Sequence, residues 1–102
     1  MSDGIDHIAA ERRRQIEEEG WTAENDDRYT DGSLALAGAS YATTVDPDIK
    51  DDEYPPSFWP WAPRWWKPSD DPIRNLVKAG ALIAAEIDRL DRLARGAQES
   101  ER

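Results

Sequence analysis

The segment from residue 72 to about residue 94 constrains the fold most, because its apolar residues recur at helical spacing. Asp70 or Asp71 can cap its start, and Pro72 suits the first turn of a helix. Its main apolar stripe consists of Ile73, Leu76, Val77, Gly80, Ile83, Ala84 and Ile87. A weaker stripe on another side consists of Ala79, Leu82 and Leu93. A helix with two apolar faces needs two partners, so we predict a central helix or one at an oligomer interface.

Two further helices are predicted earlier in the chain, over residues 4–19 and 33–44. The first places apolar residues on one face and ends at Gly20. Arg12 interrupts that face and must find a partner, because burying an unpaired charge is costly. The second helix is rich in small residues that permit close approach of another helix: Ala35, Gly38, Ala39 and Ala42. No alternation typical of strands is evident, so we predict an all-α, three-helix domain over residues 1–102, with a polar tail at 95–102.

Residues 45–71 form a long connection that contains six of the seven prolines and four of the five tryptophans. An acidic run occupies residues 46–53. A connection of this length without regular structure is uncommon in a small domain. Its aromatic residues would expose a large apolar area if they stayed in water. We therefore predict a Pro/Trp-rich loop that packs over the helices.

Composition excludes several functional classes. The 102 residues carry a net charge of −9, so the chain repels duplex nucleic acid and anionic membranes. The absence of cysteine excludes disulfides, thiolate metal sites and cysteine nucleophiles. No apolar run resembles a signal peptide or a membrane span, so we expect a cytoplasmic location. A core this small also favours a homo-oligomer.

Several motifs resemble a family of small proteins encoded by bacteriophages and prophages. They are ERRRQI at 11–16, EGWTxExDD at 19–27, DGxLAxA at 31–37, WPW at 59–61, WWKP at 65–68 and LVKAGALIAAEIDRLD at 76–91. The resemblance implies a small protein made in the host cytosol during infection. Common tasks there are adjusting nucleotide pools, neutralising host defence and blocking host enzymes. Residues 16–27 are also similar to the opening of the RyR domain, a helical module.

Aromatic and basic residues together indicate a ligand site. Indole rings can stack on a nucleobase, while cationic side chains and helix-terminal amides hold phosphates. The candidate ligand-binding residues are Arg12, Trp21, Trp59, Trp61, Arg64, Trp65, Trp66, Lys67, Arg74 and Lys78. Most of the tryptophans are expected in the core, with Arg64, Trp66 and Lys67 at the rim. We predict a protein that sequesters a small nucleotide, including a cyclic one used in host immune signalling, without catalysis or cofactor.

Two alternatives stay open. A magnesium-dependent nucleotide pyrophosphohydrolase, similar to helical MazG-type enzymes, would bind the metal with Asp26, Asp27, Glu86 and Asp88. Asp88 and Asp91 have the spacing of that motif, but the first helix lacks the matching Glu-x-x-Glu pair. Solvated charged faces with internal ion pairs explain these residues more simply. The second alternative is an acidic inhibitor of a host nucleic-acid-binding enzyme.

Overall fold

The computed structural model describes residues 3–100 and is mostly helical, which confirms the all-α class. Helix α1 spans Gly4–Glu19, α2 spans Ala23–Asp26, α3 spans Ser33–Thr43 and α4 spans Pro72–Ser100. A 3₁₀ turn at Pro63–Trp65 interrupts the long connection between α3 and α4. Helix α4 continues past the predicted end near residue 94, and the tail positions 101–102 lie outside the described residues. None of the helices in residues 3–100 is both long and apolar enough to cross a membrane.

The helix ends follow the capping chemistry of the sequence. The Asp3 side chain accepts a hydrogen bond from the Asp6 amide at 2.9 Å and caps α1. Gly20 ends α1 with a φ of 75°, in the left-handed region that favours glycine, as predicted. The Asp71 carboxylate accepts from the Ile73 amide at 2.9 Å, so Asp71 caps the start of α4.

Helix α4 is the centre of the fold. It packs against α3 on one side and against α1 on another, with α2 beside it. The core is formed by side chains from α3, α4 and the tryptophan-containing loop. Its buried apolar members are Leu34, Ala37, Tyr41, Trp59, Trp66, Ala79, Leu82 and Ala85.

Small residues bring α3 and α4 close together. A Cβ atom at Gly38 would lie 3.0 Å from the Ile83 Cγ1 atom and 3.1 Å from the Ala79 carbonyl oxygen. Gly80 has the same role towards α1, because its Cβ position would lie 2.6 Å from the Cδ1 atom of Ile8. The predicted close approach of the second helix to a neighbour is thus confirmed at Gly38.

The main apolar stripe of α4 faces outward, in contrast to the usual burial of such a stripe. Ile73 and Ile87 are 64% and 55% exposed, whereas Ala79 and Leu82 of the weaker stripe are buried. Helix α1 shows the same pattern. Its apolar residue Ile5 is exposed, whereas its polar residues Glu11 and Gln15 are buried. Small residues on α3 accept the small side chains of α4, so that face closes most tightly.

Residues 45–71 contact the helices through two indole rings. Trp59 packs edge-on against Tyr41 with ring centroids 5.7 Å apart, and Trp66 lies 4.9 Å from the same ring. The Trp66 indole N–H donates to the Asp51 carbonyl oxygen at 2.8 Å, which fixes the acidic half of the connection to the aromatic half. The Trp59 indole N–H donates to the Ala62 carbonyl oxygen at 3.2 Å.

Candidate functional site

A cavity of about 860 Å³ lies between α1, α3, α4 and the loop. This volume falls in the range of small-molecule sites. Its lining combines aromatic rings, basic groups and acidic groups in one place. The side chains that line it include Glu11, Arg14, Gln15, Glu19, Trp21, Asn25, Tyr29, Tyr41, Trp59, Trp61, Trp65, Lys67, Lys78 and Leu82.

The aromatic wall is a set of rings that support one another. Trp61 lies 5.2 Å from Trp21 and 5.4 Å from Tyr29, measured between ring centroids. Trp59 meets Trp61 edge-on at 5.4 Å. Each distance lies within the range of favourable aromatic pairs. The wall is therefore held in place before a ligand arrives, and it offers flat apolar faces for stacking.

Two lysines supply positive charge to the cavity. The Lys78 ammonium donates to the Lys67 carbonyl oxygen at 3.1 Å and lies 5.4 Å from the centroid of the Tyr41 ring. Burial lowers the pKa of Lys78. Neither lysine forms a salt bridge with another residue of the described chain. A bound anion would give the Lys78 ammonium a charged partner in addition to the Lys67 carbonyl oxygen and the Tyr41 ring.

Glu11 is a buried carboxylate in the α1 wall of the cavity. It accepts hydrogen bonds from Arg14 at 2.9 Å and from Arg74 at 2.6 Å. Burial raises the pKa of Glu11, but the two arginines outweigh burial and lower it to about 2. Glu11 is thus ionised and neutralised, and it joins α1 to α4.

Two buried polar atoms in the cavity wall lack a hydrogen-bond partner within the described part of the chain. They are the Oε1 atom of Gln15 and the indole Nε1 atom of Trp61. Gln15 is only 4% exposed, and its amide nitrogen donates to Glu11 at 3.2 Å. Leaving a buried donor or acceptor unpaired costs about 1–3 kcal/mol. Both atoms are out of reach of solvent, so this cost belongs to the folded wall itself.

Six residues of the predicted ligand set line this cavity. They are Trp21, Trp59, Trp61, Trp65, Lys67 and Lys78. Trp65 lies at the rim, because it is 56% exposed. The structure thus collects these six from three separate segments of the chain.

The other four predicted ligand residues lie elsewhere. Arg12 donates to the Trp21 carbonyl oxygen and to Asp26, both at 3.2 Å. Arg74 is engaged by Glu11, and Arg64 lies 5.3 Å from the centroid of the Trp65 ring. Trp66, which was predicted at the rim, is 5% exposed and belongs to the core. The neighbouring indole of Trp65, at the end of the 3₁₀ turn, lies at the rim instead.

Gln15, Tyr29 and Tyr41 are cavity residues that the sequence analysis missed. Gln15 lies on the polar side of α1 and gave no signal, because that side was expected to face solvent. The two tyrosines belong to helices and turns distant in sequence from the tryptophan cluster. Their aromatic character was the only available signal, and it does not indicate which aromatic residues meet.

The acidic residues of the magnesium alternative are each paired with an arginine. Asp26 and Asp88 approach Arg12 at 3.2 and 3.9 Å, and Asp27 approaches Arg92 at 2.8 Å. Glu86 pairs with Arg89. Burial raises the pKa of Asp26, and Arg12 offsets this only in part. In the described residues, no three histidine, cysteine or acidic side chains converge as a metal site would require.

Comparison of the chain with protein-family models, with curated proteins and with solved structures gives no match. The functional proposal therefore rests on the chemistry of the cavity.

Proposed function

We propose that this protein binds a small nucleotide in the cavity between α1, α4 and the tryptophan-containing loop, and retains it unchanged. The observation that carries the proposal is one half-open cavity in which a cluster of aromatic rings meets two lysines without acidic partners. The base would stack against the wall that contains Trp61. The phosphate would lie against Lys67 and Lys78.

The energetic terms favour a small ligand of this kind. Stacking of a base on an aromatic side chain contributes about 1–3 kcal/mol. Hydrogen bonds between an ammonium group and a phosphate are stronger than neutral ones. The net charge of −9 disfavours long polyanions, whereas a mononucleotide or cyclic dinucleotide reaches the local basic region with less repulsion.

The aromatic wall favours a base with a large flat ring. A purine offers more stacking area than a pyrimidine to the rings around Trp61. Adenine nucleotides are therefore the first ligands to test.

Retention without reaction is the second part of the proposal. The two carboxylates that line the cavity, Glu11 and Glu19 of α1, are neutralised because both pair with Arg14. In the cytosol of an infected cell, a protein with this chemistry would lower the free concentration of a signalling nucleotide and so counter host defence. The resemblance to bacteriophage proteins supports this setting. The protein acts as a homo-oligomer in this proposal, which its exposed apolar helix faces support.

The proposal is tested by incubating the purified protein with linear and cyclic nucleotides and magnesium. After desalting, native mass spectrometry measures the retained mass, and chromatography identifies the released small molecules. We expect one intact nucleotide for each chain. Altered nucleotides would instead establish the pyrophosphohydrolase alternative. Failure to retain or convert any nucleotide would reject the proposal and direct the search to a protein target.

Substitution of the two cavity lysines gives a sharper test. In the double variant Lys67→Met and Lys78→Met, we expect nucleotide affinity to fall at least tenfold, because both phosphate contacts are lost. Lys50→Met is the matched control, since Lys50 pairs with Asp52 and Asp70 away from the cavity. Titration calorimetry measures the three affinities. Equal affinity in the double variant and the control would show that the lysines do not hold the ligand.

A further inference from the structure

We propose that α4 pairs in antiparallel orientation with α4 of a second copy of this chain. The outward stripe of α4 contains apolar residues alternately three and four residues apart, which is the spacing of a coiled-coil seam. We refer to these residues as the seam: Ile73, Leu76, Gly80, Ile83, Ile87, Leu90, Ala94 and Ala97. Its five large side chains are between 43% and 64% exposed.

The exposed area is sufficient for a stable contact. Five half-exposed side chains of this size present roughly 300 Å² of apolar surface. Ile5 and Leu36, which are 78% and 40% exposed on the flanking helices, add to this area. One side of a standard interface contains apolar surface on the order of 450 Å². The seam with its flanks approaches that value.

A second copy fits the seam better than an unrelated helix, because the seam is complementary to itself when reversed. Large residues then lie opposite small ones at the two ends of the pair, where Ile73 meets Ala97 and Leu76 meets Ala94. At the centre Ile83 meets Ile87, and Leu90 meets the Ile8 side chain that covers Gly80. Parallel pairing would instead place Leu76 against Leu76 and Ala94 against Ala94, which leaves a gap beside a crowded layer.

Neighbouring groups support the same orientation. Ile8 of α1 covers Gly80 in its own chain, so a leucine from the second copy would meet an apolar surface at that level. Antiparallel order opposes the helix dipoles favourably. It also brings the N-terminal end of α4, next to Asp70 and Asp71, close to the C-terminal part of the second copy's helix, which contains Arg92 and Arg95.

The seam and the nucleotide cavity lie on different sides of α4. Lys78 and Leu82 line the cavity, whereas Ile83 and Ile87 belong to the seam. Antiparallel pairing therefore leaves both cavities open to solvent. Loss of the dimer would contradict the oligomeric part of the proposed function, whereas nucleotide binding in the cavity is tested separately, because no seam residue lines the cavity.

Analytical ultracentrifugation of the full chain tests the pairing. We expect a species of twice the 11.6 kDa chain mass. The double variant Ile87→Lys and Leu90→Lys should sediment as a monomer with unchanged helical circular dichroism, because these side chains are 55% and 49% exposed. Val45→Lys is the control, since Val45 is 56% exposed but lies outside the seam. A monomeric parent chain, or a dimeric double variant, would overturn the proposal.

Cysteine cross-linking tests the orientation, and the chain contains no cysteine that would interfere. A mixture of the Leu76→Cys and Ala94→Cys variants should form a disulfide-linked dimer under oxidation. Each variant alone should cross-link much less. Efficient cross-linking of Leu76→Cys to itself would show parallel pairing and contradict the inference.

Discussion

At the scale of single residues, Glu11 organises the inner wall of the cavity. It is 3% exposed, and its carboxylate binds Arg14 of its own helix and Arg74 of α4. Breaking a buried ion pair by removing one partner is strongly destabilising, because it leaves the other charge uncompensated. Glu11 therefore links the stability of the α1–α4 contact to the shape of the site.

The low pKa of Glu11 predicts a specific dependence of stability on pH. Its pKa is about 2 in the folded protein, against an ordinary value of 4.5, so the unfolded chain takes up the proton first as pH falls. The stabilisation is complete above about pH 4.5 and is lost as pH falls towards 2. At pH 7, Glu11→Gln should lower the free energy of unfolding by about 3 kcal/mol.

Urea denaturation of the parent and Glu11→Gln proteins at several pH values measures this difference. We expect it to shrink steadily between pH 4.5 and 2. Glu24→Gln is the control, because Glu24 is exposed and outside these ion pairs. A difference that stays constant over this pH range would show that Glu11 acts through packing alone.

At the scale of secondary-structure elements, the close contact of α3 with α4 holds the core together. Gly38 lies against the backbone of Ala79, which has little freedom to move. Gly38→Val should therefore lower the free energy of unfolding by about 2 kcal/mol through overpacking. Gly96→Ala is the matched control, since its Cβ atom would meet nothing within 4 Å, and it should stabilise α4 by up to about 1 kcal/mol.

Thermal unfolding followed by circular dichroism compares the two variants with the parent chain. Gly38→Val should melt several degrees lower and Gly96→Ala slightly higher. If Gly38→Val were as stable as the parent, the two helices would not be in the close contact described.

The sequence predicted where the helices lie better than it predicted which face of each helix is buried. Pro72, the acidic cap and the periodic apolar residues of 72–94 are local signals, and local signals determine where α4 begins. Which side of α4 is buried depends on the shape of α3, where Gly38 accepts Ala79, and periodicity contains no information on that partner. Likewise, Lys67 and Lys78 were predicted as cavity residues from their positive charge. Gln15 lies in the cavity wall because α1 leaves Ile5 and Ile16 exposed and buries its polar side.

At the scale of the whole molecule, an acidic chain combines a cavity on one side of α4 with an apolar seam on another. In the proposed dimer, folding is coupled to association, because the dimer contact stabilises only the folded state. The melting temperature should therefore rise with protein concentration.

Calorimetry over a hundredfold range of concentration measures this coupling. In the parent chain we expect the melting temperature to increase by several degrees over that range. In the Ile87→Lys and Leu90→Lys double variant it should be independent of concentration. A melting temperature that is constant in both proteins would contradict coupling between association and stability.

The most direct test of the proposed function follows the five indole N–H resonances by NMR during titration with adenosine monophosphate and a cyclic adenine dinucleotide. Trp21, Trp59, Trp61 and Trp65 line the cavity, whereas the Trp66 indole donates to the Asp51 carbonyl oxygen in the core. We predict the largest shift for Trp61, which contacts three other rings of the wall and would feel the ring current of a stacked base, and little change for Trp66. If no indole resonance shifts, or if Trp66 alone responds, the cavity is not a site for adenine nucleotides.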